Sequence, residues 1–585
     1  MRPSVARCLS LTKCMNNSAS QKIKWTVWCF FLGLVLIEYL LFRRYILQEV
    51  APFYPPNNDQ VEYLTQAYRL YKNFVSDGIV RSLSQTHLMA QSFLFHIQAA
   101  FVFLWWGPSR LSALSINFMY FAAAQIYLFY LMRRLTGSFC FSFLVIGMLL
   151  SAHTFDWAAD FRMDFISFCL YGLVTGLVLQ SDVFLKRKLV ILASFVSVVL
   201  VCMRFISATY LLVLTFVMLA GFSLEAFFSG SLREKKAAGK RVKNILIYGL
   251  VLALLISPIL WAARHAIYNY YVIGHVIGAE KLMRLREELT SHHVSEYWFY
   301  PQVFMVNHFS RALSRRTVAL VLVLLAGWIV ARMVSFSKKT IPLQNRVQNR
   351  CALFLVAAVL SPVAVLTMDT SKSWVVVGII LIPFIYLVVL SVSRLYAGFE
   401  VVFPRTARFL LIFAGFYFMI TGMDFYVHKS VPVKNNHSGS RDKNNVVTAM
   451  TDAIGDYAKM HGWKKVTGSS NRPRDYIFGP LAPFYFERHG VLLDAQFTLL
   501  GGSIQSTVTE AKAMSELARS DVYIDALGKY HPDAFFPFEQ SVYPFRDHLT
   551  HYAEKNMVRL ADYCIDGVVY RVYVRSRTFV NGMPI

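Results

Sequence analysis

Long apolar runs recur along this chain, and the polar positions collect in short stretches between them. A helix needs roughly 20 consecutive apolar residues to cross a bilayer core. The runs predict about eleven spans, at 25–48, 111–131, 139–153, 164–180, 189–204, 206–228, 245–263, 317–334, 351–367, 374–392 and 409–424. The first run follows Arg2, Arg7, Lys13, Lys22 and Lys24, is too long for a signal-peptide core and lacks a small-residue cleavage site, so it reads as a retained span. A further apolar run at 87–106 reads as a helix lying on the membrane surface.

From about residue 425 the pattern changes. After the polar linker Lys434–Ser440, helix-like 443–461 and 507–519 alternate with strand-like 464–466, 491–494 and 534–536, and a helix at 547–556 precedes a closing strand at 568–574. Alternation of this kind predicts a small α/β domain. It contains no Gly-x-Gly-x-x-Gly or P-loop sequence, which argues against a nucleotide site.

Composition agrees with a membrane chain: 56% hydrophobic, 16% charged, mean hydropathy +0.45. The net charge of +25 would suit nucleic acid, but its location excludes that reading. The segments 1–24, 132–138, 181–188, 229–244, 335–350 and 393–408 hold 23 Lys or Arg against Asp182, Glu234 and Glu400. Basic loops of this kind stay on the cytoplasmic side and face lipid headgroups. The expectation is a cytoplasmic tail, 1–24, a transmembrane domain, 25–424, and an exterior or periplasmic domain, 425–585, in a cell inner (plasma) membrane. Loops 49–110, 154–164, 264–316 and 368–373 are then exterior. Only Cys564 among the eight cysteines falls in the exterior domain, so no disulfide framework is expected, and no zinc-type spacing occurs.

Acidic residues gather on that exterior side. Asp59 precedes an amphipathic stretch, Val61–Val75, with Glu62 three residues on. This pattern fits a helix N-cap; it equally fits a general base at the water–lipid boundary that takes a proton from a hydroxyl. The two readings are compatible. Asp156, Asp160 and Asp164 are spaced i, i+4 and i+8, which on a helix would place them on one face, with Arg162 or a bound cation offsetting their repulsion. Arg204, Lys372 and Arg264 lie at the same side; each is able to stabilise charge on a leaving phosphate, and each equally suits a snorkelling anchor. His292-His293 and Tyr297-Trp298-Phe299-Tyr300 fit an interfacial aromatic belt or the wall of a sugar site.

Taken in order, these segments resemble the GT-C glycosyltransferases that use polyprenyl-phosphate sugars, in particular the protein O-mannosyltransferase and lipid A aminoarabinose transferase branch. Asp59-Gln60-Val61-Glu62-Tyr63 is similar to the family's Asp-Glu-x-x-Tyr, with Gln60 in place of the second acid; Thr86-His87-Leu88-Met89 keeps the His of its His-Pro-Pro-Leu; Arg133-Arg134-Leu135-Thr136-Gly137 resembles its inner-loop Arg-Arg-Leu-x-Gly. Arg162-Met163-Asp164 resembles its second exterior acid, His293 to Tyr300 its His-x-x-Pro-x-x-Tyr-Tyr, and Ser371-Lys372-Ser373 its late Ser-Lys turn. The likeness covers roughly residues 25–395.

The resemblance implies a polytopic α-helical GT-C-type protein with a C-terminal exterior α/β domain. It implies an inverting transfer of sugar from a polyprenyl-phosphate carrier to the hydroxyl of a glycan, lipid or protein acceptor. Asp59 would be the catalytic base and Asp164 the second acid; Lys372, Arg204, Arg162, Tyr63, His293 and Tyr300 would bind substrate or carrier phosphate, with Asp160 and Glu62 as supporting acids. No cofactor is firmly implied, and a divalent cation near the acids is the one option left open. Membrane lipids are the other expected partners, and nucleic acid is not one. The alternative is a transporter or flippase for a lipid-linked sugar; transporters usually carry internal repeats, and none is visible here.

Overall fold

The computed structural model describes residues 18–51, 59–86, 92, 94–152, 158–277, 295–305, 343–369, 372–373, 376–402, 404–430, 441–472, 481–491, 495–502, 507–528, 537–565, 567–576, 579–580 and 583–584. Among the described residues before 431, twelve α-helices have twelve residues or more: α1 (Ser18–Tyr45), α2 (Asp59–Asp77), α3 (Phe95–Trp106), α4 (Arg110–Thr136), α5 (Phe139–Leu150), α6 (Met163–Gln180), α7 (Arg187–Met203), α8 (Ser207–Phe228), α9 (Leu232–Ile267), α10 (Leu343–Met368), α11 (Leu381–Val402) and α12 (Pro404–Ser430).

Seven of the described helices are long and apolar enough to cross a membrane, with apolar stretches at 25–50, 110–136, 163–180, 207–228, 232–273, 349–368 and 376–394. These match seven of the expected spans. The others differ. The predicted span 139–153 is the 12-residue helix α5, about 18 Å long at 1.5 Å per residue and shorter than a bilayer core. The predicted span 189–204 is the 17-residue helix α7, whereas the predicted span 409–424 falls wholly inside α12. The span expected at 317–334 lies outside the described residues. Helix α9 starts well before the expected 245, because its basic first half is helical too and hydropathy reads only the second half.

The outward faces confirm the solvent. Phe409, Phe413, Phe416 and Ile420 form one stripe along α12 at helical spacing, and Leu212 and Phe216 of α8 are about 70% exposed. Apolar stripes this continuous face lipid rather than water. Inside, lipid-like surroundings remove most of the hydrophobic drive between helices, so close packing must hold them. Phe31 stacks on Phe129 at 4.1 Å, joining α1 to α4. In α6, Gly172 and Gly176 form a small-xxx-small pair: a Cβ on Gly172 would come within 2.4 Å of Ile382, and one on Gly176 within 2.7 Å of the Tyr386 hydroxyl. Helix α11 approaches only because both side chains are absent.

The C-terminal part is a small α/β unit. Helix α13 (Arg441–Met460), strand β1 (Val466–Ser470), α14 (Leu481–His489), β2 (Ala495–Thr498), α15 (Glu510–Arg519), β3 (Val522–Leu527), α16 (Arg546–Asn556), β4 (Val558–Ile565) and β5 (Val568–Val574) follow in order. The sheet order is β2-β1-β3-β5-β4; the first three strands are parallel, and β5 is antiparallel to both β3 and β4. One face buries Val522, Ile524 and Ala526 under α13; the other buries Tyr523 and Tyr573 with Leu549 and Ala553 of α16. The expected strand 464–466 begins at Val466; of the strand expected at 491–494, residues 492–494 lie outside the described residues, and a strand follows at Ala495–Thr498. The expected strand at 534–536 lies outside the described residues.

Candidate active site

The acidic segments meet at one end of the helical bundle. Asp59 is the first residue of α2, two residues earlier than the expected start at Val61. Its side chain lies outside the described residues, but the next residue is informative. Gln60, the departure from the family's acid, is buried, and its Oε1 accepts from the Phe161 N–H at 3.3 Å. The start of α2 is thereby tied to the loop that carries Asp160 and leads to Asp164. Phe161 also packs on Phe95 of α3 at 4.3 Å, and Tyr63 of α2 meets the same Phe95 edge-on at 5.6 Å. Tyr63 is thus a core residue of this junction, while Glu62 points outward.

The expectation that Asp156, Asp160 and Asp164 share one helix face does not hold. Arg162 is extended (φ −129°, ψ 148°) and α6 begins only at Met163, so Asp160 belongs to a bend and Asp164 to the first helical turn. Asp156 lies outside the described residues. Asn117 of α4 shapes the bend, donating from Nδ2 to the carbonyls of Ala158 at 3.0 Å and Asp160 at 2.8 Å. Each described acid has an arginine: Asp160 Oδ2 lies 3.0 Å from Arg162 Nε, and Asp164 forms an ion pair with Arg204. Breaking the α-helical pattern at Arg162 separates the two pairs and relieves like-charge repulsion.

Arg204 stands between α7 and α8, and the residues after it complete a pattern that reading it as a lone cation missed. Ser207 and Tyr210 follow at i+3 and i+6, on the side of α8 nearest Arg204. Both are at most 1% exposed, and neither hydroxyl has a partner among the described residues; the same is true of Arg204 Nε. Three buried donors without partners near the start of a helix are a set suited to an anion. The groups acting electrostatically on Tyr210 are Arg204, Tyr300, Tyr271 and Asp164, which places Tyr271 and Tyr300 in the same cluster.

Tyr300 and Lys372 adjoin it. The aromatic run divides: Tyr297 and Trp298 are exposed, whereas Phe299 and Tyr300 are buried. Tyr300 Oη accepts from the Ser373 N–H at 3.3 Å, and the Lys372 ammonium lies 5.5 Å from its ring centroid. Lys372 is fully buried. Its Nζ donates to the carbonyls of Leu366, Thr367 and Asp369 at the end of α10 and lies 3.9 Å from Glu296. Burial lowers its pKa, and Glu296 and Asp369 oppose that shift. Arg264 donates to the Trp261 carbonyl and stacks on that indole at 4.5 Å, the behaviour of an anchor. His87, His292 and His293 lie outside the described residues. Among the described residues no three His, Cys, Asp or Glu side chains are grouped to hold a metal ion.

This bundle, with its acidic end and appended sheet, has a fold already seen among solved structures. More particularly, it is similar to ArnT from Cupriavidus metallidurans. The apo structure of that protein gives a TM-score of 0.52 at 10% identity, covering 94% of this chain and 98% of that one. The structure bound to undecaprenyl phosphate gives 0.51 at 10% identity, with the same coverage. The archaeal oligosaccharyltransferase AglB from Archaeoglobus fulgidus, in complex with an inhibitory peptide and a dolichol-phosphate, gives 0.39 at 13% identity over 86% of this chain and 70% of that one. No protein-family model matches the sequence, and no curated protein matches it.

Proposed function

We propose that this chain is an integral-membrane inverting glycosyltransferase that moves a sugar from a polyprenyl-phosphate carrier to an acceptor hydroxyl. One observation carries the reading: the Gln60–Phe161 hydrogen bond brings the helix start at Asp59 to the segment that leads to the Asp164–Arg204 pair. The undecaprenyl phosphate bound in one ArnT structure supports a lipid phosphate as the ligand class.

In this reading the acceptor oxygen attacks the anomeric carbon as its proton passes to the Asp59 carboxylate. The bond from the anomeric carbon to the phosphate oxygen breaks, and polyprenyl phosphate leaves with the electron pair. Attack opposite the leaving group inverts the anomeric centre. Asp164 holds Arg204 by the ion pair, and Arg204, Ser207 and Tyr210 receive the phosphate. Preorganised donors of this kind stabilise charge as it develops, so a strong general acid is not required. Lys372, with its N–H groups directed at carbonyls, contributes charge and fixes the turn beside Tyr300. Arg162 neutralises Asp160. No step needs a metal. In this reading the acidic end faces the exterior, with the N-terminus cytoplasmic and the C-terminal domain periplasmic or exterior, an orientation the basic loops support.

The test is incubation of the purified full chain, in lipid nanodiscs, with a panel of labelled polyprenyl-phosphate sugars and membrane-extracted acceptors. Transfer with inversion is expected for at least one donor. Release of no sugar from any donor, or transfer with retention, would reject the proposal.

A further inference from the structure

The C-terminal domain touches the bundle through α14. Glu487 Oε1 accepts from Tyr68 Oη of α2 at 2.9 Å, and the neighbouring Phe486 ring lies 4.7 Å from that of Tyr68. Tyr68 is fully buried and stacked on Phe103 of α3 at 5.1 Å. Arg110, the first residue of α4, is 4% exposed and reaches the Val50 carbonyl at 3.4 Å at the end of the α1 segment. Its charge acts on Glu487, on Tyr68 and on Asp160. Glu487 and Asp160 therefore both act on one buried cation.

Adhesion alone does not call for this arrangement. The rings of Phe486, Tyr68 and Phe103 already supply an apolar contact, and even a half-buried carboxylate gives up hydration that an apolar residue there would not. What the carboxylate adds is direction: it fixes where Tyr68, and so α2, sits along the contact. Asp59 lies nine residues before Tyr68 on the same helix, about 14 Å along its axis. Gln60 pins the beginning of α2 to Phe161, and Glu487 pins its middle. A helix held at two points has its first residue placed in both position and rotation.

We propose that Glu487 is a positioning residue: through Tyr68 and Arg110 the C-terminal domain sets the register of α2 and thereby the place of Asp59. This rests on the reading of the acidic end as a sugar-transfer site. The C-terminal domain is then part of the catalytic unit, and its loosening disarms the base at a distance.

The experiment uses the full chain with Tyr68→Phe, which removes only the hydroxyl, Glu487→Met, which keeps the side-chain length and removes the acceptor, and the double variant. Each single change is expected to lower kcat about tenfold, since small misplacements of a reacting group are costly, with KM for the lipid donor changed less than about twofold. The double variant falls no further than the worse single one, because both act through one contact. Backbone hydrogen exchange over residues 59–68 rises in all three, while the melting temperature stays within the range of surface control variants. Unchanged kcat, or losses that follow the folded fraction, or multiplying losses in the double variant, would overturn the proposal. If the unmodified protein transfers no sugar at all, the reading of the site has failed. Hydrogen exchange then decides the contact by itself: Tyr68→Phe matching the unmodified protein over residues 59–68 would overturn it.

Discussion

The two ends of the bundle both set arginines beside aspartates, and they use them differently. At the basic end, Asp182, Val183 and Phe184 all adopt left-handed backbone angles (φ 58°, 49° and 66°), a conformation that side chains, Val above all, resist. Arg241 holds that turn: Nε donates to the Val183 carbonyl at 3.1 Å and a terminal nitrogen to the Asp182 carbonyl at 3.4 Å. Asn244 adds bonds to the carbonyls of Phe184 at 2.7 Å and Leu185 at 3.0 Å. Two of the Arg241 nitrogens thus meet backbone carbonyls, while its other terminal nitrogen and Asp182 Oδ1 have no hydrogen-bond partner among the described residues. At the acidic end Arg204 meets a carboxylate, and the adjacent Ser207 and Tyr210 hydroxyls meet nothing among the described residues. An arginine with two nitrogens on the carbonyls of a left-handed turn staples that turn; one that stands beside idle buried hydroxyls is prepared for a ligand.

The comparison is broken or sharpened by mutation. The largest effect is expected for Asp59→Asn. Loss of a general base reduces transfer about 10²- to 10⁴-fold, with donor binding retained in an equilibrium assay; unchanged transfer would reject Asp59 as the base. Next come Ser207→Ala and Tyr210→Phe. A hydrogen bond to a charged group contributes about 1.5–3 kcal/mol, so each should weaken polyprenyl-phosphate affinity roughly ten- to a hundredfold while leaving the fold intact by circular dichroism. Asp164→Asn frees Arg204 from its orienting partner; the pair is partly exposed, so a loss of about tenfold in kcat/KM is expected, near the lower end for positioning effects. Smallest in activity is Arg241→Met. It should lower the stability of the solubilised protein by on the order of 2–3 kcal/mol and leave transfer per folded molecule unchanged. A matching loss of transfer would erase the distinction between the ends.

Much of this was legible from the residues. Long apolar runs marked seven spans, six of them within a few residues, since nothing but a membrane tolerates them. Alternation in Val568–Val574 marked β5 with its observed bounds. Other elements were hidden for physical reasons. Strand β3, Val522–Leu527, carries Asp525 in its middle, which breaks the apolar pattern; the carboxylate is fully buried and accepts from Asn471 and from Thr550 at 2.7 Å, partners far apart in sequence. Strand β4 escaped although Asp566-Gly567 between two β-rich stretches is a hairpin signal, and Gly567 indeed has φ 74°. At the candidate site, Gln60 read as a lost acid, whereas its amide makes the bond that joins α2 to the acidic bend. The regular spacing of Asp156, Asp160 and Asp164 misled because helical periodicity holds only where the backbone is helical. Arg204-x-x-Ser207-x-x-Tyr210 was visible as a spacing, but not that its hydroxyls would be buried.

The most direct test is a binding titration of the purified chain with a short-chain polyprenyl phosphate. Saturable binding is expected in the unmodified protein, abolished by Arg204→Ala and preserved by Arg350→Ala, whose partner at the basic end is Glu225. Absence of saturable binding, or equal loss in both variants, would contradict a carrier site at the acidic end.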